Sequence, residues 1–481
     1  MALNLVRNSK VFFTTNVDST TGAINSSSTA NFSGSNTFEI QVLDGFTFSQ
    51  NVNSETVTIS EASETPVRGQ RAFNTSLAPV DFSFSTYIRP KDQTTKITAE
   101  EAVLWNALMC SENIGTPTTI AGATSAAISA TGLLTISGTT MTGTPTVGDI
   151  VVISGVSASS PAGYDKYMNA AGKVVTSGAS SITIQMINHG ATSATGTVGT
   201  LKFSKFAWNE SNANYSQITA GLSEKNQLQK FGMLFLVDNV LYAVDNCALN
   251  QVTIDFGLDQ IATAQWTGQA TALREFGTGI GAGAGTFTGG GSGNVGSSGA
   301  FTAKVTDAQY ITNKLSTVSL KAVKAIGSSI SAGDSYNIPI TGGSFTINNN
   351  ITYITPANLG VVNSPVVYYT GTRAISGNIT AYLRTGTSLE SGDLLKDMLA
   401  EAANNIEPMF ALTMSIGGSA NPIHVDIEMP STVLAVPTVD VQQVVSTNIA
   451  FTAQGYTPSA TAANNTFDIT NPSDLMVRYY A

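Results

Sequence analysis

The sequence predicts a mainly β, mostly antiparallel protein in which one β unit carrying a helix occurs twice in tandem, with a small β domain inserted into the first. Three observations predict it. Short alternations of apolar and polar residues recur between turn formers, two helix signatures share one design, and the elements around those helices follow the same order.

The alternation is clearest in QVTIDF, SITIQMI, SFTINNNITYI, NITAYL and HVDIEM, each bounded by Gly, Pro, Asn or Asp. Period two places one set of side chains on each face of a sheet. Helices are few. Thr98 and Glu101 stand at capping-box spacing, where hydroxyl and carboxylate satisfy free amides of a first turn, and Val103, Leu104, Ala107 and Leu108 then form an apolar stripe. Thr387 and Glu390 precede Leu394, Leu395, Met398 and Leu399 at the same spacings.

The flanks match as well. Upstream come FTF (Phe46 to Phe48) or FTI (Phe345 to Ile347), then STYIR (Ser85 to Arg89) or TAYLR (Thr380 to Arg384). Downstream come FGMLFLV or PMFALTM, then VTIDF or HVDIEM, and a closing segment around Trp266 or Phe451. Even the starts compare, LVRNSK with YITNKL. Convergent patterning gives alternation but not this matched order, so the chain reads as an internal duplication.

Two segments belong to neither unit. Residues 114–205 hold four Lys and two Asp as their only charges and carry strand signals of their own, GLLTISG, GDIVVISGV, KVVTSG and SITIQMI. They read as an inserted β domain at a surface loop, where insertions are tolerated. Residues 277–300 contain 11 glycines and no charge, and read as a flexible linker.

Composition bounds the function. The 481 residues are 42% hydrophobic, enough for several cores, but only 11% are charged against about 25% in ordinary domains. A net charge of −10 argues against coating nucleic acid, which takes clustered Lys and Arg. MALNLVRNSKVFF lacks the pattern of a secretory signal, and the longest apolar run, FGMLFLVDNVLYAV, is broken by Asp238 and Asn239, so neither export by that route nor a membrane anchor is expected. Cys110 and Cys247 are too few and too separated for a disulfide framework or a zinc site, and read as buried thiols.

No catalytic constellation emerges. His189 and His424 have no nucleophile motif nearby, no His/Cys ligand set exists, and GSGNVG (Gly291 to Gly296) lies in the glycine-rich linker rather than between a strand and a helix. The expectation is no enzyme, no cofactor and no metal. One polar pattern remains. In HVDIEM, alternation sets His424, Asp426 and Glu428 opposite Val425, Ile427 and Met429, and in QVTIDF it sets Asp255 opposite Ile254 and Phe256. Asp255, Asp426 and Glu428 are therefore candidates for an acidic, water-facing surface; the plainer alternative is an ordinary solvated face.

RGQRAFNTSLAPVDFSFSTYIRP (Arg68 to Pro90) and DSYNIPITGGSFTINNNITYITP (Asp334 to Pro356) resemble segments of the major tail tube proteins of long-tailed bacteriophages with non-contractile tails, most like the subgroup whose tube domain is duplicated within one chain. The resemblance covers roughly residues 1–113, 206–270 and 301–460. It implies two tandem β-sandwich tube domains, each with a flanking helix, at 1–113 with 206–270 and at 306–458. The remainder divides into the insert at 114–205, a linker at 271–305 and a tail at 459–481.

It also implies trimeric, pseudo-hexameric rings stacked around a tape-measure protein in a virion tail assembled in the host cytoplasm. The tail tip or baseplate and the terminator would be further partners, and viral DNA would pass the lumen without tight binding. Asp255, Asp426 and Glu428 would then face that lumen. Residues 50–78 and 348–373 would be stacking arms, and the insert a dispensable decoration outside; some relatives carry instead an immunoglobulin-like domain after the tube domains. A different β-rich, self-assembling surface or adhesin-like protein is the competing reading.

Overall fold

The computed structural model describes the chain outside residues 1–8, 26–35, 60–68, 110–116, 187–191, 205–208, 212–215, 220–227, 279–308, 402–408 and 455–473 and some isolated runs of one to three residues. Cys110, His189, Thr387, GSGNVG and most of the glycine-rich linker lie outside the described residues.

The first unit opens with β1 (Lys10–Thr14), β2 (Thr37–Ile40), β3 (Thr47–Ile59) and β4 (Gly69–Tyr87), followed by a small hairpin of β5 (Pro90–Gln93) and β6 (Lys96–Ala99) and by helix α1 (Ala102–Met109). The insert supplies β7 (Thr118–Thr119), β8 (Ala121–Ile128), β9 (Leu133–Thr142), β10 (Ile150–Ser160), the one-turn α2 (Asp165–Met168), β11 (Ala171–Ser177), β12 (Ser181–Met186) and β13 (Ala194–Ser204). After β14 (Asn209–Ser211) and β15 (Ser216–Thr219), the first unit resumes as β16 (Phe231–Val237), β17 (Val240–Gly257), β18 (Thr263–Ala270) and β19 (Ala272–Thr278).

The second unit starts with β20 (Thr317–Ala322), β21 (Ser335–Ile338) and β22 (Ile340–Asn348), and β23 (Ile351–Ile354) and β24 (Val367–Thr370) leave it as a separate hairpin. It continues with β25 (Ala374–Tyr382), α3 (Ser391–Glu401), β26 (Met409–Ile416), β27 (His424–Leu434), β28 (Thr438–Asp440) and β29 (Ser446–Ala453), and β30 (Met476–Tyr480) ends the chain.

Pairing bears the tandem β architecture out. The first unit runs β2-β1-β16-β17-β18-β4-β3 and the second runs β21-β20-β26-β27-β29-β25-β22, all antiparallel. The long β17 covers what β27 and β28 cover between them, because Pro437 interrupts the second version with a residue that has no amide to donate. The end of β17 also pairs with β22, so one sheet crosses both units. The insert has a sheet of its own, β10-β11-β12-β9-β8-β13 closed by β10 on β13 around Leu134, Ile136, Ile153, Ile182 and Ile184. Closure leaves it few free edges.

Helices α1 and α3 each begin at a glutamate that follows a Tyr-x-Arg strand end. The Glu101 carbonyl accepts the Leu104 and Trp105 amides, and its carboxylate takes the Arg89 amide at 3.3 Å and the Tyr479 hydroxyl at 2.6 Å. The Glu390 carbonyl accepts the Leu394 amide, and its carboxylate lies 3.3 Å from the Arg384 guanidinium. The backbone of Thr98 belongs to β6, and Glu101, 1% exposed, ties strand, helix and chain end together. In the core beneath, Trp105 meets Trp266 edge to face at 5.1 Å, and Cys247 is buried as expected.

Lys321 of β20 is costly where it stands. Its ammonium is buried with no hydrogen-bond partner among the described residues, and burial lowers its pKa from 10.5 to about 8. Because the folded value is the lower one, the penalty is full below pH 8 and fades as pH rises towards 10.5. Lys321→Met is expected to raise the thermal midpoint at pH 7, with a smaller gain at pH 10.5; an equal gain at both would rule out charge burial as the cause.

Candidate functional surface

No group of side chains among the described residues could hold a metal ion, and no described helix is long and apolar enough to cross a membrane. The most extensive feature is a sheet face. Six strands lie side by side in the order β4-β18-β17-β22-β25-β29, and their registers line up the outward positions in rows across both units. One row runs Ser85, Gln265, Thr253, Thr346, Ser376, Thr452; the next runs Tyr87, Thr263, Asp255, Ser344, Asn378, Ala450. Ser83, Thr267, Gln251, Asn348, Thr380 and Asn448 stand on the same face. Apart from Tyr87, Asp255 and Ala450, every one of these positions is Ser, Thr, Asn or Gln, and none is basic.

The opposite face explains the alternation. Phe84, Trp266, Ile254, Phe345, Ile375 and Ile449 are at most 2% exposed, so the polar set must point outward. Neighbouring polar groups satisfy one another across the strands: Thr253 and Thr346 hydroxyls at 3.3 Å, the Ser344 hydroxyl to Asn378 Oδ1 at 2.5 Å, Gln251 Nε2 to Thr253 at 3.0 Å. Such a surface holds water, offers phosphates no cation, and carries Asp255 as its only charge in these rows.

Asp255 is exposed on this face, as its strand pattern predicted. Asp426 and Glu428 are not on an open surface: they are 2% and 0% exposed. The register gives the reason. Tyr87 lies opposite Thr263, which lies opposite Asp255; Tyr382 lies opposite Ser446, which lies opposite Asp440. Asp440, exposed on β28, is therefore the counterpart of Asp255. HVDIEM corresponds to the buried first half of β17, since both stretches pair with the matching strands β26 and β16.

Asp426 and Glu428 belong instead to a sealed ionic cluster. Arg478 of β30, 0% exposed, places Nη1 3.6 Å from Glu428 Oε1 and donates through Nη2 to the Asn169 carbonyl of the insert at 2.8 Å. Ser415 donates to Asp426 at 2.5 Å, and His424 stacks on Tyr480 at 4.3 Å. The Tyr167 hydroxyl of α2 is pushed up to about 12 by burial and by the two carboxylates. Residues 459–481 are not only a tail, as the resemblance implied: Met476–Tyr480 pairs with β27 and β15 as a working strand. In the first unit β19 takes the same place on β17, and its Arg274 holds Asp245 at 2.5 Å. The signal was present: MVRYY alternates like the other strands and, like ALREF, carries its arginine at the centre.

Both excursions from the units are exposed. On β3 and β4, residues 51–56 and 70–75 are exposed throughout, with Val52 and Phe73 among them, and the intervening 60–68 lie outside the described residues. Around β23 and β24, Leu359, Val361, Val362, Val367 and Tyr369 are exposed, and Asn363 exchanges backbone bonds with Thr75 and Leu77 at the base of the first excursion.

Set beside known proteins, the chain is 26% identical over 468 residues to the tail tube protein pb6 of Escherichia phage T5, a match that covers 94% of this chain and 73% of that protein. This chain is similar to a phage tail tube protein along nearly its whole length. The resemblance read from Arg68 to Pro90 and from Asp334 to Pro356 is thus borne out. No protein-family model matches it.

Proposed function

We propose that this chain is the structural subunit of a phage tail tube: it polymerises as stacked rings into a hollow conduit in the virion tail, and plays no catalytic part. The observation that carries the reading is the polar face continuous across both units, together with the full-length similarity to a tail tube protein. That face lines the lumen. Hydroxyls and amides keep it wetted, the absence of Lys and Arg from its rows keeps DNA from sticking, and Asp255 and Asp440 supply a sparse repulsion at equivalent places in the two units. Three duplicated chains make a six-unit ring; a tape-measure protein occupies the bore before DNA does, and tip and terminator proteins close the ends.

The chain divides into the tube units, the linker and an insert carried on the outside. The insert is held by Arg478 rather than merely tethered, so deleting it uncovers Asp426 and Glu428. Negative-stain microscopy of the purified protein tests the main reading. Hollow filaments of uniform bore are expected, and isolated particles would favour a β-rich surface or adhesin-like protein. The exposed excursions at 50–78 and 348–373 are the stacking arms. Deleting 51–76 is expected to leave folded rings or monomers that do not elongate, scored by sedimentation and microscopy; tubes of normal length would exclude a stacking role.

A further inference from the structure

Among the described residues, the junction between the two units inside one chain has no equivalent at the chain's own outer edges. Internally, β17 receives β22 on its open side, with Asp255 opposite Ser344 and Ile254 opposite Phe345. The counterpart of that part of β17 is β28, and no strand among the described residues pairs with its second edge. The counterpart of β22 is the start of β3, which among the described residues pairs only with β4. Burial differs in the same sense. Ile254 and Phe256 are 1% and 4% exposed, while Val439 and Val441, at the corresponding places on and after β28, are 43% and 78% exposed. Phe345 is fully buried, while its counterpart Phe48 is only half-buried.

We propose that β28 of one chain pairs antiparallel with β3 of the next in the register of the internal junction, so that Asp440 lies opposite Thr47, Val439 opposite Phe48 and Thr438 opposite Ser49. The register follows from equivalent rows: Ser344 pairs with Asn378 as Thr47 pairs with Ser83, and Asn378 and Ser83 stand at the same distance before Tyr382 and Tyr87. The partner is a second copy of this chain. Strand addition satisfies the edge amides and carbonyls, covers Val439 with the Phe48 ring, and extends the polar face from one chain to the next. Because the contact joins two different surfaces, it propagates head to tail and closes when the rotation fits, which repeats outside the chain the junction already present within it.

The inference rests on the reading of the chain as a self-assembling tube subunit. Thr47→Cys and Asp440→Cys, both at exposed positions, test it separately from that reading. Each single variant under oxidation is expected to stay monomeric on a denaturing gel, their mixture to give dimers, and the double variant a ladder ending at the number of chains in the ring. Thr47→Cys with Thr438→Cys, a two-residue slip, is expected to cross-link at least tenfold less. Tubes seen by microscopy without 47–440 cross-links, equal yield from the slipped pair, or a bond formed within one chain would each overturn the pairing. Cross-linked dimers without tubes would uphold the pairing and count against the tube.

Discussion

Arg478→Ala is expected to destabilise the second unit by about 3–5 kcal/mol, the usual consequence of removing one partner from a buried charge pair. The guanidinium is fully buried, 3.6 Å from Glu428, so cutting it away removes the cation from beside a buried carboxylate. For a cooperative unit of 150–250 residues, that loss lowers the thermal midpoint by roughly 6–20 °C. The same residue bonds the Asn169 carbonyl and Tyr480, so protection of α2 against amide exchange should fall as well. Adding Glu428→Gln to Arg478→Ala should recover part of the loss, since the carboxylate that has lost its cation is replaced by a neutral amide and the pair couples in a double-mutant cycle. A single variant within about 2 °C of the parent would mean that the cluster is neutral on balance and that β27 holds β30 by backbone pairing alone.

The physical limits of the sequence reading are visible in the same residues. Alternation fixes which side chains share a face, and Val252, Ile254 and Phe256 are buried as it requires. It does not fix position along a strand, because a pattern of period two repeats after every second residue. VTIDF and HVDIEM match as patterns while their ladders differ, and so alternation points to Asp426 and Glu428 as water-facing and is silent on Asp440. The Tyr87-x-Arg89 and Tyr382-x-Arg384 anchors, which are aperiodic, supply the register that alternation lacks. Glu101 shows a second limit. Its spacing from Thr98 is local, but its partner Tyr479 lies 378 residues away, and no local rule reports such a contact. β30 escaped for the same reason: its ladder partners, Ser216–Thr219 and His424–Glu428, are distant in sequence, and an arginine at its centre reads as surface until two buried acids are found beside it.

Trp266→Ala is expected to cost about 3–5 kcal/mol, the range for emptying a fully buried tryptophan site. The ring is 0% exposed, meets Trp105 edge to face, and donates through Nε1 to the Thr86 hydroxyl at 2.9 Å. Truncation therefore removes an aromatic pair and leaves that hydroxyl without its donor. Trp266→Phe keeps most of the packing and should cost clearly less. The location of the damage is as informative as its size. Trp266 lies opposite Val252 of β17, and Val252 lies opposite Ile347 of β22, so loosening the first unit removes one of the two ladder partners of β22. Amide exchange in Trp266→Ala should accelerate in β17, β18 and the part of β22 bound to β17, while β21 and β20, which pair with each other and of which β20 also pairs with β26, keep their protection. Unchanged exchange in β22 would show that β25 alone holds it and that the two units unfold independently. Equal acceleration in β20 would show that the tandem units, joined through β17 and β22, unfold as one.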